Sequence, residues 1–240
     1  MTEIKMKHMI RKSRIKYASG LGLSIIALFV SGCSSSPTPN FYSLSSKILP
    51  SVSPDQKIKM IEVLPVGLSD RLNRIPLVIQ QENGQAKVLF DDRWTSTLSS
   101  ELRDGISARL QQNLGAVDRY NSGMTGGQAA YRIAIDFANF DFIEKPNQQR
   151  FMLMNASWTI RFDDPNRPLT TASNSQTQAA NRQISCRMSL YEPVQKKSSQ
   201  LIDLVDTSQN VLDQLSQSIA SSVQQLDLTK VQPISGVTCS

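Results

Sequence analysis

The clearest indication of the fold class is "FMLMNASWTIRF", residues 151–162. Apolar side chains occupy its even positions, and polar side chains occupy its odd positions from Asn155 to Arg161. Alternation of this kind is typical of a β-strand with one buried face. The segment therefore predicts a half-buried strand with Trp158 on its core face.

Two neighbouring segments show the same alternation. In "YRIAIDFANFDFI", residues 131–143, the apolar positions are odd up to Phe137 and even from Phe140. This change of phase indicates a β-bulge near Ala138 and Asn139. "ISCRMSL", residues 184–190, also alternates. Shorter strands are predicted upstream, with an Asn-Gly turn between the last two, at residues 41–44, 58–64, 76–80 and 86–90.

A leucine or isoleucine at every fourth position over residues 98–114 predicts a long amphipathic helix. We expect it to begin at Trp94, where Asp91 or Asp92 can cap the first turn. Gly105 costs a helix interior about 1 kcal/mol relative to alanine. It therefore indicates a close approach of another element.

A second amphipathic helix is predicted over residues 208–226, with Asp206, Thr207 or Ser208 as its cap. Long antiparallel strands with two such helices form a layered arrangement. The fold prediction is therefore α+β: an antiparallel or mixed sheet with two long amphipathic helices packed on one face, in a single domain.

The N-terminus has the pattern of an export signal. Six basic residues precede an apolar run at residues 21–30, which is about half the roughly 20 apolar residues that a membrane-spanning helix needs. Val30-Ser31-Gly32-Cys33 follows the run and resembles a bacterial lipobox, in which the cysteine is lipidated and becomes the first residue of the mature chain. The alternative is an ordinary secretory signal followed by an incidental cysteine.

This interpretation divides the chain into three parts. Residues 1–32 are a lipoprotein signal peptide, and residues 33–40 are the lipidated Cys33 with a proline-containing tether. Residues 41–240 form a single periplasmic domain, which is enough chain for one core. Several acyl chains anchor a protein firmly where a single chain does not. The covalent lipid on Cys33 is the only attached group that we expect, and no cofactor is predicted.

Charge and composition argue against several function classes. The chain has 26 Lys and Arg against 20 Asp and Glu, but residues 1–32 hold six of the bases and one acid, which leaves 20 against 19. Nucleic-acid binding is therefore not expected. His8, the only histidine, lies in the signal, so histidine-dependent triads and zinc sites are not expected either. We predict no metal site, no catalytic residue and no enzyme activity, although the carboxylate pairs Asp91-Asp92 and Asp163-Asp164 leave a hydrolase as a minor alternative.

Cys186 and Cys239 remain once Cys33 is lipidated. In an oxidising compartment such a leftover pair is usually a disulfide. Against this, Cys186 lies on the apolar face of its predicted strand and suits a buried thiol. The sequence leaves both states open.

Residues 71–115 carry a resemblance to a known family. They include "NRIPLV" at 73–78, Arg93-Trp94 before Leu98, and a helix that ends in "LQQNLG" at 110–115, after an early aromatic "NFYSL" at 40–44. This ordered set resembles the ABC-type transport auxiliary lipoproteins, whose best-named members are the paraquat-inducible protein C (PqiC) lipoproteins. Ile75 separates Arg74 from Pro76, where the family often places arginine directly before proline.

The resemblance implies a non-catalytic periplasmic lipoprotein that works with an MCE-domain protein to move lipids between the membranes and to maintain envelope integrity. Ser34, a non-aspartate after the lipidated cysteine, implies sorting to the outer membrane. A docking role at the end of an MCE tunnel calls for a homo-oligomeric ring. The alternative function is a structural or assembly lipoprotein of another outer-membrane complex.

Arg74, Arg93 and Trp94 are the candidate partner-contact residues, because arginine and tryptophan dominate protein interfaces. The competing interpretation places Trp94 in the core at the start of the helix and pairs Arg93 with Asp91 or Asp92.

Overall fold

The computed structural model describes residues 38–45, 59–120, 128–165, 183–195, 200–226 and 232–240. The predicted signal peptide, Cys33 and Ser34 lie outside these residues. Pro39–Ser240 form one compact unit. Its described elements are β1 Asn40–Tyr42, β2 Lys59–Val63, β3 Gly67–Leu68, β4 Pro76–Gln81, β5 Ala86–Trp94, α1 Leu98–Leu114, β6 Ala116–Asp118, β7 Ala130–Glu144, β8 Arg150–Asp163, β9 Gln183–Pro193, α2 Gln200–Gln225 and β10 Val237–Cys239.

The long strand β7 organises the sheet. One of its edges pairs antiparallel with β8, which in turn pairs antiparallel with β9 and then β10. Its other edge carries the short strands β2, β3 and β4 in succession, all parallel to it. Beyond them, β6 lies parallel to β2, β5 lies antiparallel to β4, and β1 lies parallel to β5. The sheet is therefore mixed.

The predicted bulge in β7 is confirmed. The pairing with β8 shifts register between Phe137 and Asn139, so Ala138 is the extra residue. Without this insertion, the change of phase would turn either Ile135 or Phe142 out of the core. With it, the apolar residues on both sides of the bulge are buried.

Helix α1 begins later than the sequence predicted. Trp94 is the last residue of β5, and Thr97 is the N-cap residue of α1. The amide of Trp94 donates to the carbonyl of Ile75 over 2.8 Å, and that of Thr95 donates to Tyr42 over 2.9 Å. Pairing with strands on both sides therefore keeps this segment extended, and the prediction that Asp91 or Asp92 caps the helix was wrong.

Helix α2 begins earlier than predicted, at Gln200. Ser208 is fully buried, and its hydroxyl donates to the carbonyl of Leu204 one turn before it. A hydroxyl that bonds back in this way sits inside a helix and does not cap one. The predicted cap at residues 206–208 was therefore wrong, because the apolar pattern continues backwards through Leu204 and Val205.

The two helices pack against each other and on the sheet to form one core. Trp158 is 2% exposed, and its indole Nε1 donates to Ser222 of α2 over 3.2 Å. Ser218 of α2 also contacts Met188 of β9. The predicted α+β class, with two helices on a mixed sheet in a single domain, is confirmed, as is the core position of Trp158.

Candidate interaction surface

Arg93 lies near the end of β5, where three separate segments meet. In the sheet register it is opposite Phe41 of β1 and opposite Pro76 of β4. Its guanidinium Nε donates a 2.6 Å hydrogen bond to the carbonyl oxygen of Phe90. The Arg93 side chain is thus held by the backbone of its own strand and not by a neighbouring carboxylate.

A large bulge in β5 lies immediately before Arg93. Pro76 pairs with Arg93, whereas the next residue, Leu77, pairs with Leu89. Three residues of β5, 90–92, therefore leave the pairing with β4. Phe90 is the first of them, and it is 67% exposed. The sequence predicted that the strand ends at Phe90, so this bulge was missed.

Two more apolar side chains lie in the segments that flank Arg93. Phe41 is 58% exposed and Ile75 is 43% exposed. Arg74 is exposed as well, and its Nε donates to the backbone of the preceding turn. We refer to these five residues, Phe41, Arg74, Ile75, Phe90 and Arg93, as the Arg93 surface.

Trp94 does not belong to the Arg93 surface. Its side chain is 3% exposed and lies in the hydrophobic core. Neighbouring residues of a strand point to opposite faces of the sheet, so Arg93 is partly exposed while Trp94 is buried. The candidate role of Trp94 as a partner contact is therefore corrected to a core role.

An ion pair fixes the turn that carries Arg74 and Ile75. Both terminal nitrogens of Arg71 bind the carboxylate of Asp141, at 3.0 and 3.3 Å. Asn139, next to the bulge of β7, donates to the same carboxylate over 2.8 Å. Asp141 is buried, so this bidentate pair ties the turn firmly to the centre of the sheet.

Glu101 in the first turn of α1 holds the chain that follows β1. Its carboxylate accepts hydrogen bonds from the hydroxyls of Ser43, Thr95 and Ser96 and from the amide of Leu44. Burial alone would raise the pKa of Glu101, but these four donors together hold its pKa below the ordinary value. The sequence contains a typical helix-start signal directly before Leu98, formed by Ser96 and Thr97, which the prediction of a start at Trp94 missed.

Leu44 itself is enclosed by both helices. Its side chain is fully buried, and its carbonyl oxygen accepts from Nη1 of Arg109 over 2.9 Å. Gly105 lies beside it: a Cβ there would be 3.0 Å from the Leu44 oxygen and 2.9 Å from Cδ2 of Leu212. The predicted close approach at Gly105 is confirmed, and the approaching elements are the β1 segment and α2.

The acidic pairs take part in structural contacts. Asp92 accepts from the side chains of Asn40 and Tyr42, at 3.1 and 3.0 Å, and burial together with this carboxylate raises the pKa of Tyr42. Asp163 pairs with Arg161. Within the described ranges, no group of three or more His, Cys, Asp or Glu side chains is arranged to hold a metal ion.

A disulfide joins Cys186 of β9 to Cys239 of β10. The two residues are opposite each other in the antiparallel register. The amide of Ser185 donates to the carbonyl of Ser240 over 3.1 Å, and the amide of Ser240 donates to the carbonyl of Ser185 over 2.8 Å. The last strand is therefore held to the sheet edge both covalently and by its backbone.

In the part of the chain that the structure describes, no helix is long and apolar enough to cross a membrane. A comparison with curated proteins finds no significant match. Among solved structures, one crystal structure of an uncharacterised protein has a TM-score of 0.52 at 17% identity, covering 78% of this chain and 99% of that one. Protein XCC0632 from Xanthomonas campestris has a TM-score of 0.51 at 13% identity, covering 78% and 98%.

These likenesses extend over nearly the whole of each solved chain and support the same fold. A match to a family model identifies a family more specifically than these structural likenesses do. The model described as the ABC-type transport auxiliary lipoprotein component matches residues 42–220, from the end of β1 to the last turns of α2. The chain therefore belongs to the ABC-type transport auxiliary lipoprotein component family.

Proposed function

We propose that this protein is an outer-membrane-anchored, non-catalytic accessory lipoprotein of an MCE-type system that moves lipids between the inner and outer membranes and supports envelope integrity. The observation that carries the proposal is the family match over residues 42–220. The matched range begins shortly after the lipobox-like Val30-Ser31-Gly32-Cys33. Ser34 directs the anchored chain to the outer membrane.

The attachment of the β1 segment supports an anchoring role. An acylated Cys33 holds the chain at one end, and the Leu44 backbone is bound on both sides by Glu101 and Arg109 of α1. A pull on the tether is thus resisted first by the pairing of β1 with β5 and then by the contacts of Leu44 with α1. The anchored domain then offers its surface to an MCE-domain protein, and copies of it form a ring at the end of the tunnel.

Affinity capture after crosslinking in intact cells tests the proposal. Full-length tagged protein is crosslinked in the envelope and recovered, and its partners are identified by mass spectrometry. We expect an MCE-domain protein among them, and we expect a deletion strain to leak periplasmic markers and admit detergents. A protein from another outer-membrane machine in its place, with an intact barrier in the deletion strain, would support the structural-scaffold alternative and refute the transport role.

A further inference from the structure

We propose that the Arg93 surface lies against the lipid bilayer to which Cys33 anchors the protein, with Phe41 and Phe90 entering the interfacial region and Arg74 and Arg93 meeting lipid phosphates. This inference rests on the proposed lipid anchor. It adds an orientation: the domain binds the membrane through a defined part of its own surface as well as through its acyl chains.

The apolar side chains of this surface are unusually open to water. Phe90 and Phe41 are 67% and 58% exposed, whereas most large apolar side chains of the described sheet are buried. Removing an exposed phenyl ring from water is favourable in proportion to the apolar area that becomes buried. The three-residue bulge puts Phe90 outside the sheet ladder, and the 2.6 Å bond from Arg93 fixes its carbonyl. The aromatic side chain is therefore displayed on an ordered backbone.

The two arginines of the surface suit lipid phosphates. Arg74 and Arg93 each use Nε for a backbone carbonyl, and the structure gives their terminal nitrogens no other partner among the described residues. Asp91 in the bulge and Asp70 before the Arg71 turn are exposed acids nearby, so the two arginines offer local phosphate-binding groups and not a large positive charge. A guanidinium is well suited to phosphate oxygens, and aromatic residues beside basic ones are typical of interfacial binding.

The position of β1 in the chain selects the bilayer as the occupant. Phe41 follows Cys33 by eight residues, and eight extended residues span at most about 29 Å. Every other strand and helix of the described domain is farther from Cys33 along the chain than β1 is. A short tether gives the bilayer a high effective concentration at this surface, so a weak contact is sufficient for binding. A partner protein has no comparable connection to Phe41.

Fluorescence quenching by brominated lipids tests this orientation. The full-length lipidated protein is placed in phosphatidylglycerol vesicles whose acyl chains carry bromine near the glycerol backbone. Phe90→Trp reports on the Arg93 surface. Tyr120→Trp is the matched control, because Tyr120 is 41% exposed and follows β6 at the opposite end of β7. Wild-type protein supplies the background from the two native tryptophans, which are both buried.

We expect the added tryptophan of Phe90→Trp to lose about half of its emission or more on brominated vesicles, as an interfacial side chain does, and that of Tyr120→Trp to keep its emission. Adding Arg74→Gln and Arg93→Gln to Phe90→Trp should weaken the quenching on phosphatidylglycerol and leave little difference between this lipid and phosphatidylcholine. Equal emission from Phe90→Trp and Tyr120→Trp, on protein that floats with the vesicles, would overturn the proposal.

Two further outcomes separate this inference from the function on which it rests. If the protein carries no lipid on Cys33 and does not float, the anchor itself is refuted and the orientation falls with it. If the protein floats and Phe90→Trp is unquenched, but its emission shifts when an MCE-domain protein is added, the Arg93 surface belongs to a protein partner. That result would overturn the orientation and leave the proposed function intact.

Discussion

The backbone amide of Leu44 donates a hydrogen bond to the carboxylate of Glu101 over 2.9 Å. The two residues are 57 positions apart, and the bond joins the segment after β1 to the first turn of α1. Arg109 binds the carbonyl of the same leucine from the next turns of the helix. The part of the domain nearest to Cys33 along the chain is thus secured by buried polar contacts.

Replacing Glu101 should loosen this attachment. Glu101→Ala leaves the buried Leu44 amide without a partner, and we expect a loss of about 2–3 kcal/mol in the free energy of unfolding, measured with urea. Glu101→Gln keeps one acceptor oxygen and should lose less. Glu82→Ala, at an exposed turn position, is the control and should change stability by less than about 0.5 kcal/mol. Equal effects at residues 101 and 82 would contradict this role.

The same carboxylate predicts a pH dependence. The folded-state pKa of Glu101 lies below its ordinary value of 4.5, so its ionised form stabilises the fold. That contribution is complete above the unfolded-state pKa and is lost as the pH falls through the folded-state pKa. The stability difference between wild type and Glu101→Gln should therefore be largest at neutral pH and shrink in acid. Urea unfolding at pH 7 and near pH 3 measures it, and a difference that grows in acid would refute the assignment.

Gly105 should not tolerate a methyl group. Alanine gains about 1 kcal/mol in helix propensity, but its Cβ would press on the Leu44 carbonyl and on Leu212. Overpacking a filled site costs about 1–3 kcal/mol, so we expect Gly105→Ala to be net destabilising in urea unfolding. Asn113→Ala, at an exposed position of the same helix, should be neutral or slightly stabilising. A more stable Gly105→Ala protein would show that the approach at this position is looser than the structure indicates.

Reduction of the disulfide should destabilise the domain. Cys186 and Cys239 are 53 residues apart, and the chain-entropy model gives about 4 kcal/mol for a loop of that size. Unfolding with and without reductant measures the change, and thiol labelling of denatured, unreduced protein should find neither cysteine reactive. Two reactive thiols before reduction would favour the buried-thiol alternative.

The sequence was most informative where each strand has one face in the core. Alternation predicted β7, β8 and β9, and its change of phase located the bulge at Ala138, because a local pattern records which face is buried. The same kind of reasoning failed at residues 91–94, which it did not predict as strand. Their extended conformation depends on β1 and β4, which lie far away in the sequence, and propensity cannot anticipate such pairing.

The candidate surface was predicted only in part. Arg74 and Arg93 are partly or fully exposed, as an interface requires, whereas Trp94 lies in the core. The sequence predicts Phe41 and Phe90 as strand residues but not as exposed ones, because alternation does not distinguish an exposed aromatic side chain from a buried one. Glu101 was missed as well, since its donors come from two separate segments that only the fold brings together.

The proposed function requires a lipid on Cys33 that attaches the domain to a membrane. Mass spectrometry of the N-terminal peptide of the protein purified from its native membranes measures this directly. We expect a peptide that begins at Cys33 and carries a diacylglycerol thioether and an amide-linked acyl chain. A peptide that begins at another residue, or that contains Cys33 as an unmodified thiol, would contradict it.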